Sequence, residues 1–237
     1  MKITFFCITC SPIMNGVKVE IEDKNYYKIT CSRGHDSVMY LGHERFELMF
    51  DLGLKALTDG YTREAFLNFS ASWESFHKLC LRVFINKADA TGEVFEKTWD
   101  LVIKQSERQL GAFYFLYLHE FKKPPVFLKR KSVELRNDVV HKSYVPKKEE
   151  TLSYAKEVFF YIREKYFILK KDYSENLRKI SNDDKLHEII KRADSETHIT
   201  PTIMGFNSVF GLGSEDDSFE KIVDVFNKCR VGIYSGN

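Results

Sequence analysis

Residues 135–141 bring three side-chain types useful for phosphate chemistry into two helical turns. The segment reads Leu-Arg-Asn-Asp-Val-Val-His and lies in a stretch with helical spacing. Arg136 supplies a permanent cation whose planar guanidinium suits phosphate oxygens, and His141 supplies an imidazole, a ring that can transfer protons. Asn137 and His141 are four residues apart and are neighbours on one helical face. Arg136 projects about 140° away from His141 around the axis, but its long side chain can reach the same cleft.

A second group of reactive residues lies near the N-terminus. Three of the five cysteines fall within the first 31 residues: Cys7 and Cys10 form a Cys-x2-Cys pair, and Cys31 opens the segment Cys-Ser-Arg-Gly-His. Thiolates and imidazole are ligands that Zn²⁺ prefers. We therefore predict a zinc site formed by Cys7, Cys10, Cys31 and His35, with His43 as the alternative fourth ligand. The competing interpretation is a set of unligated thiols.

The residues between the two Cys-containing turns have the pattern of β-strands. Residues 17–21 alternate apolar and polar side chains, residues 23–25 can form a turn, and residues 26–30 lead back. We predict a β-hairpin that joins the two half-sites, and hence a zinc-ribbon-like segment over residues 1–43. Its metal would be structural, because so short a segment buries little core and four protein ligands leave no open position for catalysis.

From residue 44 onward, the apolar spacing becomes helical. Thr62 is a candidate N-cap for a long helix, and Ser106 with Gln109 forms a candidate capping box. This spacing predicts a mainly α fold, an antiparallel helical bundle over residues 44–172. The predicted helices cover residues 44–57, 62–83, 93–104, 110–121, 133–140 and 149–171. Residues 173–237 form a C-terminal extension of unknown role, with helices predicted at 185–192 and 218–228.

Basic residues are concentrated in one part of the chain. The full sequence has a net charge of only +2, yet residues 121–148 contain nine Lys or Arg and two acidic residues. That stretch therefore has a charge of +7, and the rest of the chain has a charge of −5. The imbalance is compatible with an ordinary solvated face or with an anionic partner such as nucleic acid.

Composition and hydropathy indicate a globular protein. Hydrophobic residues make up 43% of the chain and charged residues 30%, which is ordinary for a folded domain. No apolar run approaches the roughly 18 residues needed to span a bilayer, and the N-terminus lacks the features of a signal peptide. We therefore expect a cytoplasmic protein with reduced thiols and no membrane partner.

The pattern Arg136-Asn137-x3-His141 resembles the catalytic motif of the HEPN superfamily, a group of helical-bundle proteins rich in toxin and host-defence ribonucleases. The resemblance covers residues 44–172, and the motif lies on the penultimate helix of the predicted bundle, where the family places it. Its implied function is that of a metal-independent RNA endonuclease in phage defence or a toxin system. The alternative is a non-catalytic HEPN module that binds RNA, a nucleotide or a protein.

The resemblance also implies a role for each motif residue. Arg136 would stabilise charge on the phosphate, Asn137 would hold the site together, and His141 would transfer protons. The RNA 2′-hydroxyl would attack its own phosphate, leaving 2′,3′-cyclic phosphate and 5′-hydroxyl ends without a catalytic metal. Family members pair their motif helices across a dimer, so a homodimer is expected, and an antitoxin or other defence protein is the expected partner.

Members of the family often carry a polar residue on an earlier helix that faces the motif. Glu74, which follows Trp73 in a buried pattern, is the candidate in this chain. The alternative is that Glu74 simply faces solvent beside Trp73.

Overall fold

The chain is mainly helical with small β-sheets, as the sequence predicts. A computed structural model describes residues 2–7, 9–10, 16–24, 26–85, 93–180, 202–203, 208–212, 217–230 and 234–235. The chain divides into two compact units. Residues 1–44 and 182–237 form the sheet-containing unit, and residues 45–181 form the helical unit.

The sheet-containing unit holds two small sheets. Strands β1 (Lys2–Phe6) and β2 (Gly16–Glu20) form one antiparallel hairpin, and β3 (Tyr26–Thr30) and β4 (Asp36–Tyr40) form a second. The predicted hairpin between residues 17–21 and 26–30 is wrong, because β2 and β3 belong to different sheets. Each instead pairs with the central strand of its own sheet, β1 or β4, and the local alternation of β2 and β3 does not reveal those partners.

Segments from the C-terminal part of the chain complete both sheets. Strand β5 (Thr202–Ile203) pairs in parallel with β4, and β6 (Tyr234–Ser235) pairs antiparallel with β1. The sequence suggests three consecutive segments, whereas these pairings group the first and last of them into one unit. The predicted helix at 218–228 is present as a helix over Phe219–Arg230, labelled α7 below, while the predicted helix at 185–192 lies outside the described residues.

Among its described residues, the helical unit contains seven helical segments; the last covers residues 174–180, and the other six are α1 to α6. Their bounds follow the predicted ones to within a few residues, except that α3 ends earlier than expected. The helices are α1 (Arg45–Thr58), α2 (Thr62–Ile85), α3 (Glu93–Trp99), α4 (Ser106–Phe121), α5 (Arg130–His141) and α6 (Lys148–Asp172).

Helix α2 is the centre of the helical unit, since it contacts α1, α4, α5 and α6. Aromatic rings fill the space between these helices. The Phe50 and Phe69 centroids are 4.8 Å apart, and Tyr154 stacks on Phe66 at 4.1 Å. Gly53 on α1 permits the close contact with α2, because a Cβ atom there would lie only 2.5 Å from the Phe69 ring. The aromatic core thus fixes α2, which carries one wall of the site described below.

Helix α5 is short and is fastened at its N-terminus by a residue of α6. The Glu157 carboxylate accepts hydrogen bonds from the backbone N–H of Lys129 and from Ser132 Oγ, the latter at 2.5 Å. One N–H that has no partner within the helix is thereby satisfied. Near the C-terminal end of α5, Val139 is fully buried. These two attachments set the orientation of the helix that carries the predicted motif.

The predicted capping box at the start of α4 is wrong. Gln105 occupies the N-cap position and makes no side-chain capping hydrogen bond. The Gln109 amide instead donates to the backbone carbonyls of Val102 and Ile103, at 3.2 and 2.9 Å, in the preceding turn. Of the helices the structure describes, none combines the length and the apolar character needed to cross a membrane.

Candidate active-site cleft and metal centre

Arg136 lies on α5 with its side chain directed toward α2. Eight of the nine basic residues in the 121–148 stretch are exposed, and Arg136 is the one that is partly buried. Its Nη2 atom donates a hydrogen bond to Oε1 of Glu74, and the two side chains form an ion pair. Only 14% of the Arg136 side chain is exposed, compared with 34% for Glu74. The structure therefore brings together two of the four residues named from the sequence.

Asn137 joins this pair. Its Oδ1 atom accepts a hydrogen bond of 3.1 Å from Nη1 of Arg136, the neighbouring residue. The guanidinium is thus held by a carboxylate on one nitrogen and by an amide oxygen on another. Three of the predicted site residues form one connected polar group.

The ion pair lines a cleft between α2, α4 and α5, named the Arg136 cleft below. Its volume is about 150 Å³, and both apolar and polar side chains line it. The lining residues are Trp73, Glu74, His77, Ser106, Glu107, Gln109, Leu110, Val133, Arg136 and Asn137.

Two buried N–H groups of the cleft residues have no acceptor among the described residues. They are Nε of Arg136 and Nε1 of Trp73. A buried donor without a partner costs free energy, typically about 1–3 kcal/mol. Residues held in this way are uncommon in folded proteins and are often found where a protein performs a function.

His77 lies at the base of the cleft, one turn along α2 from Glu74. Its Nε2 atom is 2.7 Å from the Tyr161 hydroxyl on α6. Burial, and to a smaller extent the nearby Lys165 cation, lowers the pKa of His77 to about 3. The ring is therefore neutral near pH 7 and can offer a hydrogen bond without bringing charge into the cleft.

His141 is not part of the Arg136 cleft. It is the last residue of α5, it is exposed to solvent, and it does not line the cleft formed by the described residues. The position five residues after Arg136 places it further along the axis and on another side of the helix. Within one chain, the structure does not bring Arg136 and His141 together.

The four residues predicted to bind zinc converge in the sheet-containing unit. Cys7 and Cys10 follow β1 in the connection to β2, whereas Cys31 and His35 lie in the turn between β3 and β4. Gly34 shapes that second turn with a positive φ of 79°, which glycine adopts without steric cost. The three thiols and the imidazole all lie within 4.8 Å of one another.

Four of the distances between these atoms are close to those of a tetrahedral zinc site. Zinc bonds of about 2.3 Å to sulfur and 2.0–2.1 Å to nitrogen place tetrahedral ligands about 3.8 Å apart for two sulfurs and about 3.5 Å apart for sulfur and nitrogen. The Cys10 and Cys31 Sγ atoms are 3.7 Å apart. His35 Nδ1 lies 3.8, 3.2 and 3.6 Å from the Sγ atoms of Cys7, Cys10 and Cys31. The arrangement is compatible with a zinc site.

The electrostatics of the cluster favour a thiolate. Burial raises the pKa of the Cys31 thiol, but hydrogen bonds from the Arg33 and His35 backbone and from the Cys10 and Cys7 side chains outweigh it and lower the pKa to about 6. The thiolate is the form of cysteine that binds metal.

His35 rather than His43 belongs to this cluster. The described Cys, His, Asp and Glu residues that could jointly hold a metal comprise Cys7, Cys10, Cys31 and His35. His35 lies near Cys31 because the turn between them is closed by a hydrogen bond of 3.1 Å from the Cys31 N–H to the His35 carbonyl.

Sequence reasoning does not identify seven of the ten cleft residues as site residues, among them Trp73, His77, Gln109 and Leu110. Trp73 and His77 look like ordinary buried residues in a strongly apolar helix. The available signal is their spacing, since Glu74 and His77 are three residues apart and share a helical face. Gln109 and Leu110 come from α4, whose approach to the motif helix is a tertiary feature without a local sequence pattern.

Comparison of this chain with protein-family models, curated proteins and solved structures yields no match. The HEPN resemblance of the Arg136-Asn137-x3-His141 pattern therefore stays a prediction from the sequence.

Proposed function

We propose that this chain is a metal-independent RNA endonuclease of HEPN type, acting in phage defence or a toxin system. The observation that supports this most is the burial of Arg136 and its contacts with neighbouring side chains. It is the partly buried cation of a basic stretch, and it is fixed in a cleft by Glu74 and Asn137. A positioned guanidinium stabilises the charge that develops on a phosphate during cleavage.

In the proposed reaction, the 2′-oxygen of one nucleotide attacks the adjacent phosphorus, and the bond to the 5′-oxygen of the next nucleotide breaks. The proton of the 2′-hydroxyl is removed by a base, and the leaving 5′-oxygen receives a proton. The products are a 2′,3′-cyclic phosphate and a 5′-hydroxyl. The nucleophile belongs to the substrate, so the reaction needs no metal-bound water.

His141 is the proposed proton carrier, and we assign it to the cleft of a second copy of the chain. It is exposed at the end of α5, where a partner can approach it. A homodimer that pairs the two α5 helices would bring His141 of each copy near the Arg136 cleft of the other. General acid–base help of this kind contributes typically about 10²–10⁴-fold to the rate.

The test compares RNA cleavage by purified wild-type and variant chains in excess EDTA. Arg136→Ala and His141→Ala should each lower the rate by about 100-fold or more. The matched controls are Arg130→Ala, an exposed cation on the same helix, and His119→Ala, an exposed histidine on α4. These should retain activity within a few-fold. Equal activity of all four variants would refute the proposal.

We further propose that Cys7, Cys10, Cys31 and His35 bind one Zn²⁺ in a closed, structural site. The interatomic distances given above and the lowered pKa of Cys31 support it. Four protein ligands fill the tetrahedron, so the ion would hold the two hairpins of the sheet-containing unit together and take no part in cleavage.

A second candidate function is a non-catalytic module that binds RNA, a nucleotide or a protein. The position of His141 outside the cleft of its own chain favours it. On this alternative, RNA binds without being cut, Arg136→Ala weakens binding and His141→Ala changes nothing. The cleavage assay above distinguishes the two candidates.

A further inference from the structure

The Arg136 cleft combines apolar walls with a small set of polar atoms at one edge. We propose that it binds one unpaired nucleobase of a single-stranded RNA, with the base ring against Trp73, Leu110 and Val133. This inference rests on the proposed function, because it assigns a part of the RNA to the same site. It adds that the enzyme selects single-stranded substrate through a base and not through the phosphate alone.

The size of the cleft suits a single flat ring system. At about 150 Å³ it is well below the roughly 300–1,000 Å³ of pockets that take drug-sized ligands. Its apolar walls come from three different helices: Trp73 from α2, Leu110 from α4 and Val133 from α5. Aromatic and apolar side chains of this kind are what unpaired bases pack against in protein–RNA complexes.

The polar edge of the cleft offers an acceptor beside a donor. The Arg136 guanidinium donates hydrogen bonds to Oε1 of Glu74 and to Oδ1 of Asn137. The other atom of each group, Oε2 of Glu74 and Nδ2 of Asn137, makes no hydrogen bond among the described residues. The Watson–Crick edge of every base presents a donor next to an acceptor, and this edge is free only in an unpaired base. The two groups are therefore complementary.

The charge inside the cleft favours a neutral base over a phosphate. Glu74 offsets the charge of Arg136, and its remaining carboxylate oxygen would repel an anion placed beside it. His77 adds no charge, since its lowered pKa keeps the ring neutral. We therefore assign the base to the interior of the cleft and the phosphodiester to its mouth, where 14% of the Arg136 side chain is exposed.

The test uses tryptophan fluorescence of the full-length chain. The protein has two tryptophans, Trp73 in the cleft and Trp99 on α3, so Trp99→Phe leaves Trp73 as the single reporter. Titration with the four nucleoside 5′-monophosphates should quench Trp73 in a saturable manner. Ribose 5-phosphate and inorganic phosphate, which lack a base, should bind at least tenfold more weakly. Equal affinity for the base-free compounds, or no quenching by any nucleotide, would overturn the proposal.

Two further variants test the walls and the edge. Leu110→Phe enlarges the side chain in the cleft and should weaken nucleotide binding at least tenfold, whereas Leu118→Phe, an exposed position on the same helix, should change it less than twofold. Both substitutions are made in the Trp99→Phe chain, so that Trp73 stays the single reporter. Asn137→Ala, at an exposed position that tolerates a smaller side chain, should weaken binding several-fold. Unchanged binding in both Leu110→Phe and Asn137→Ala would place the nucleotide elsewhere and refute the assignment.

The base site and the nuclease activity can fail separately. Mononucleotides contain no phosphodiester bond to cut, so their binding is measured independently of catalysis. If nucleotide binding depends on Leu110 but RNA is not cleaved, the base site is supported and the proposed function is refuted. If cleavage depends on Arg136 but base-free phosphates bind as tightly as nucleotides, the proposed function is supported and the base site is refuted.

Discussion

Arg136 is distinguished from the basic residues around it by its environment and not by its charge. The neighbouring Lys and Arg side chains are solvated, whereas the Arg136 guanidinium is fixed between Glu74 and Asn137. A partly buried cation depends on its partners, because removing one of them leaves the charge poorly compensated. The effect of burial on stability can therefore be measured by comparing two ion pairs of α5, Arg136 with Glu74 and Arg130 with Glu134.

Glu74→Gln should lower the free energy of unfolding of the helical unit by about 1–2 kcal/mol, since a partly buried Arg136 loses its charged partner. The matched control is Glu134→Gln, whose partner Arg130 is 92% exposed. An exposed pair of this kind contributes little, so its loss should have almost no effect. Thermal unfolding followed by tryptophan fluorescence reports on the helical unit, which contains both tryptophans. Equal destabilisation by the two substitutions would contradict this view of Arg136.

His77 should make the helical unit less stable in acid. Its pKa is lowered from an ordinary value of 6.5 to about 3 in the folded protein. Between these values the unfolded chain binds a proton that the folded chain does not. The free energy of unfolding should therefore be unaffected above pH 6.5 and fall below it, by at most about 1.4 kcal/mol per pH unit.

The measurement is urea unfolding at pH 7 and pH 5 for wild type, His77→Gln and the exposed control His119→Gln. The difference in stability between the two pH values should shrink in His77→Gln and persist in His119→Gln. A His77→Gln variant with the full wild-type pH dependence would show that His77 is not the group responsible.

The sequence predicts some of the residues that form the Arg136 cleft. Arg136 and Glu74 can be named because the resemblance to the HEPN motif implies a cation at the first position and a polar residue on an earlier helix, and the structure joins them. His77 cannot be singled out, since a lone histidine in an apolar helix has the same pattern whether or not it borders a cleft. His141 remains a prediction as a catalytic residue.

At the scale of elements, helix α5 is positioned by contacts from other helices more than by its own sequence. Val139 is its one buried residue within the described structure, and Glu157 of α6 holds its first turn. Lys129 is the N-cap and makes no side-chain capping hydrogen bond. A helix with so little burial relies on such fixed ends.

Glu157→Ala should therefore loosen α5 without unfolding the unit. We expect a stability loss of about 1–2 kcal/mol and faster amide hydrogen exchange confined to residues 130–141. The control Glu134→Ala removes an exposed carboxylate from α5 itself and should leave exchange unchanged. Uniformly faster exchange across all helices in Glu157→Ala would contradict the idea of a local fastening.

Helix positions follow from the sequence, but strand pairing does not. Apolar spacing predicts α1, α2, α5 and α6 closely because each helix satisfies its backbone hydrogen bonds internally. A strand needs a partner, and the alternation in β2 and β3 does not specify which one. The first hairpin is completed by β1 and the second by β4, so the pairing predicted between residues 17–21 and 26–30 is not formed.

At the scale of the whole molecule, the two units are expected to depend on different forces. The helical unit is held by a core of aromatic side chains, whereas the sheet-containing unit gathers Cys7, Cys10, Cys31 and His35 around one point. Small domains of this kind often require a metal to fold. Sequence alone predicts the ligands, but it does not predict that distant C-terminal segments join the same unit.

Removal of zinc should unfold the sheet-containing unit and leave the helical unit folded. Zinc stoichiometry should be one per chain, and substitution by Co²⁺ should give thiolate charge-transfer and tetrahedral d–d absorption bands. Cys31→Ser should abolish these bands, while Cys80→Ser, at a buried cysteine outside the cluster, should retain them. Helical circular dichroism should persist largely unchanged after chelation. Absence of stoichiometric metal in protein purified without chelators would contradict the zinc assignment.

A dimeric active site makes a distinct prediction about mixed variants. If His141 of one copy serves Arg136 of the other, a dimer of one Arg136→Ala chain and one His141→Ala chain contains one complete site. Equal mixing of the two inactive variants should then restore about a quarter of the wild-type activity, because half of the dimers are mixed and each has one of two sites. No recovery after subunit exchange would show that each chain works alone.

The most direct test of the nuclease assignment is the chemistry of the RNA ends. Wild-type protein in EDTA should convert a single-stranded RNA into fragments with 2′,3′-cyclic phosphate and 5′-hydroxyl ends, and should leave a fully 2′-O-methylated copy intact. Arg136→Ala should yield neither product. Cleavage of the methylated RNA, 5′-phosphate ends, or undiminished cleavage by Arg136→Ala would contradict the account.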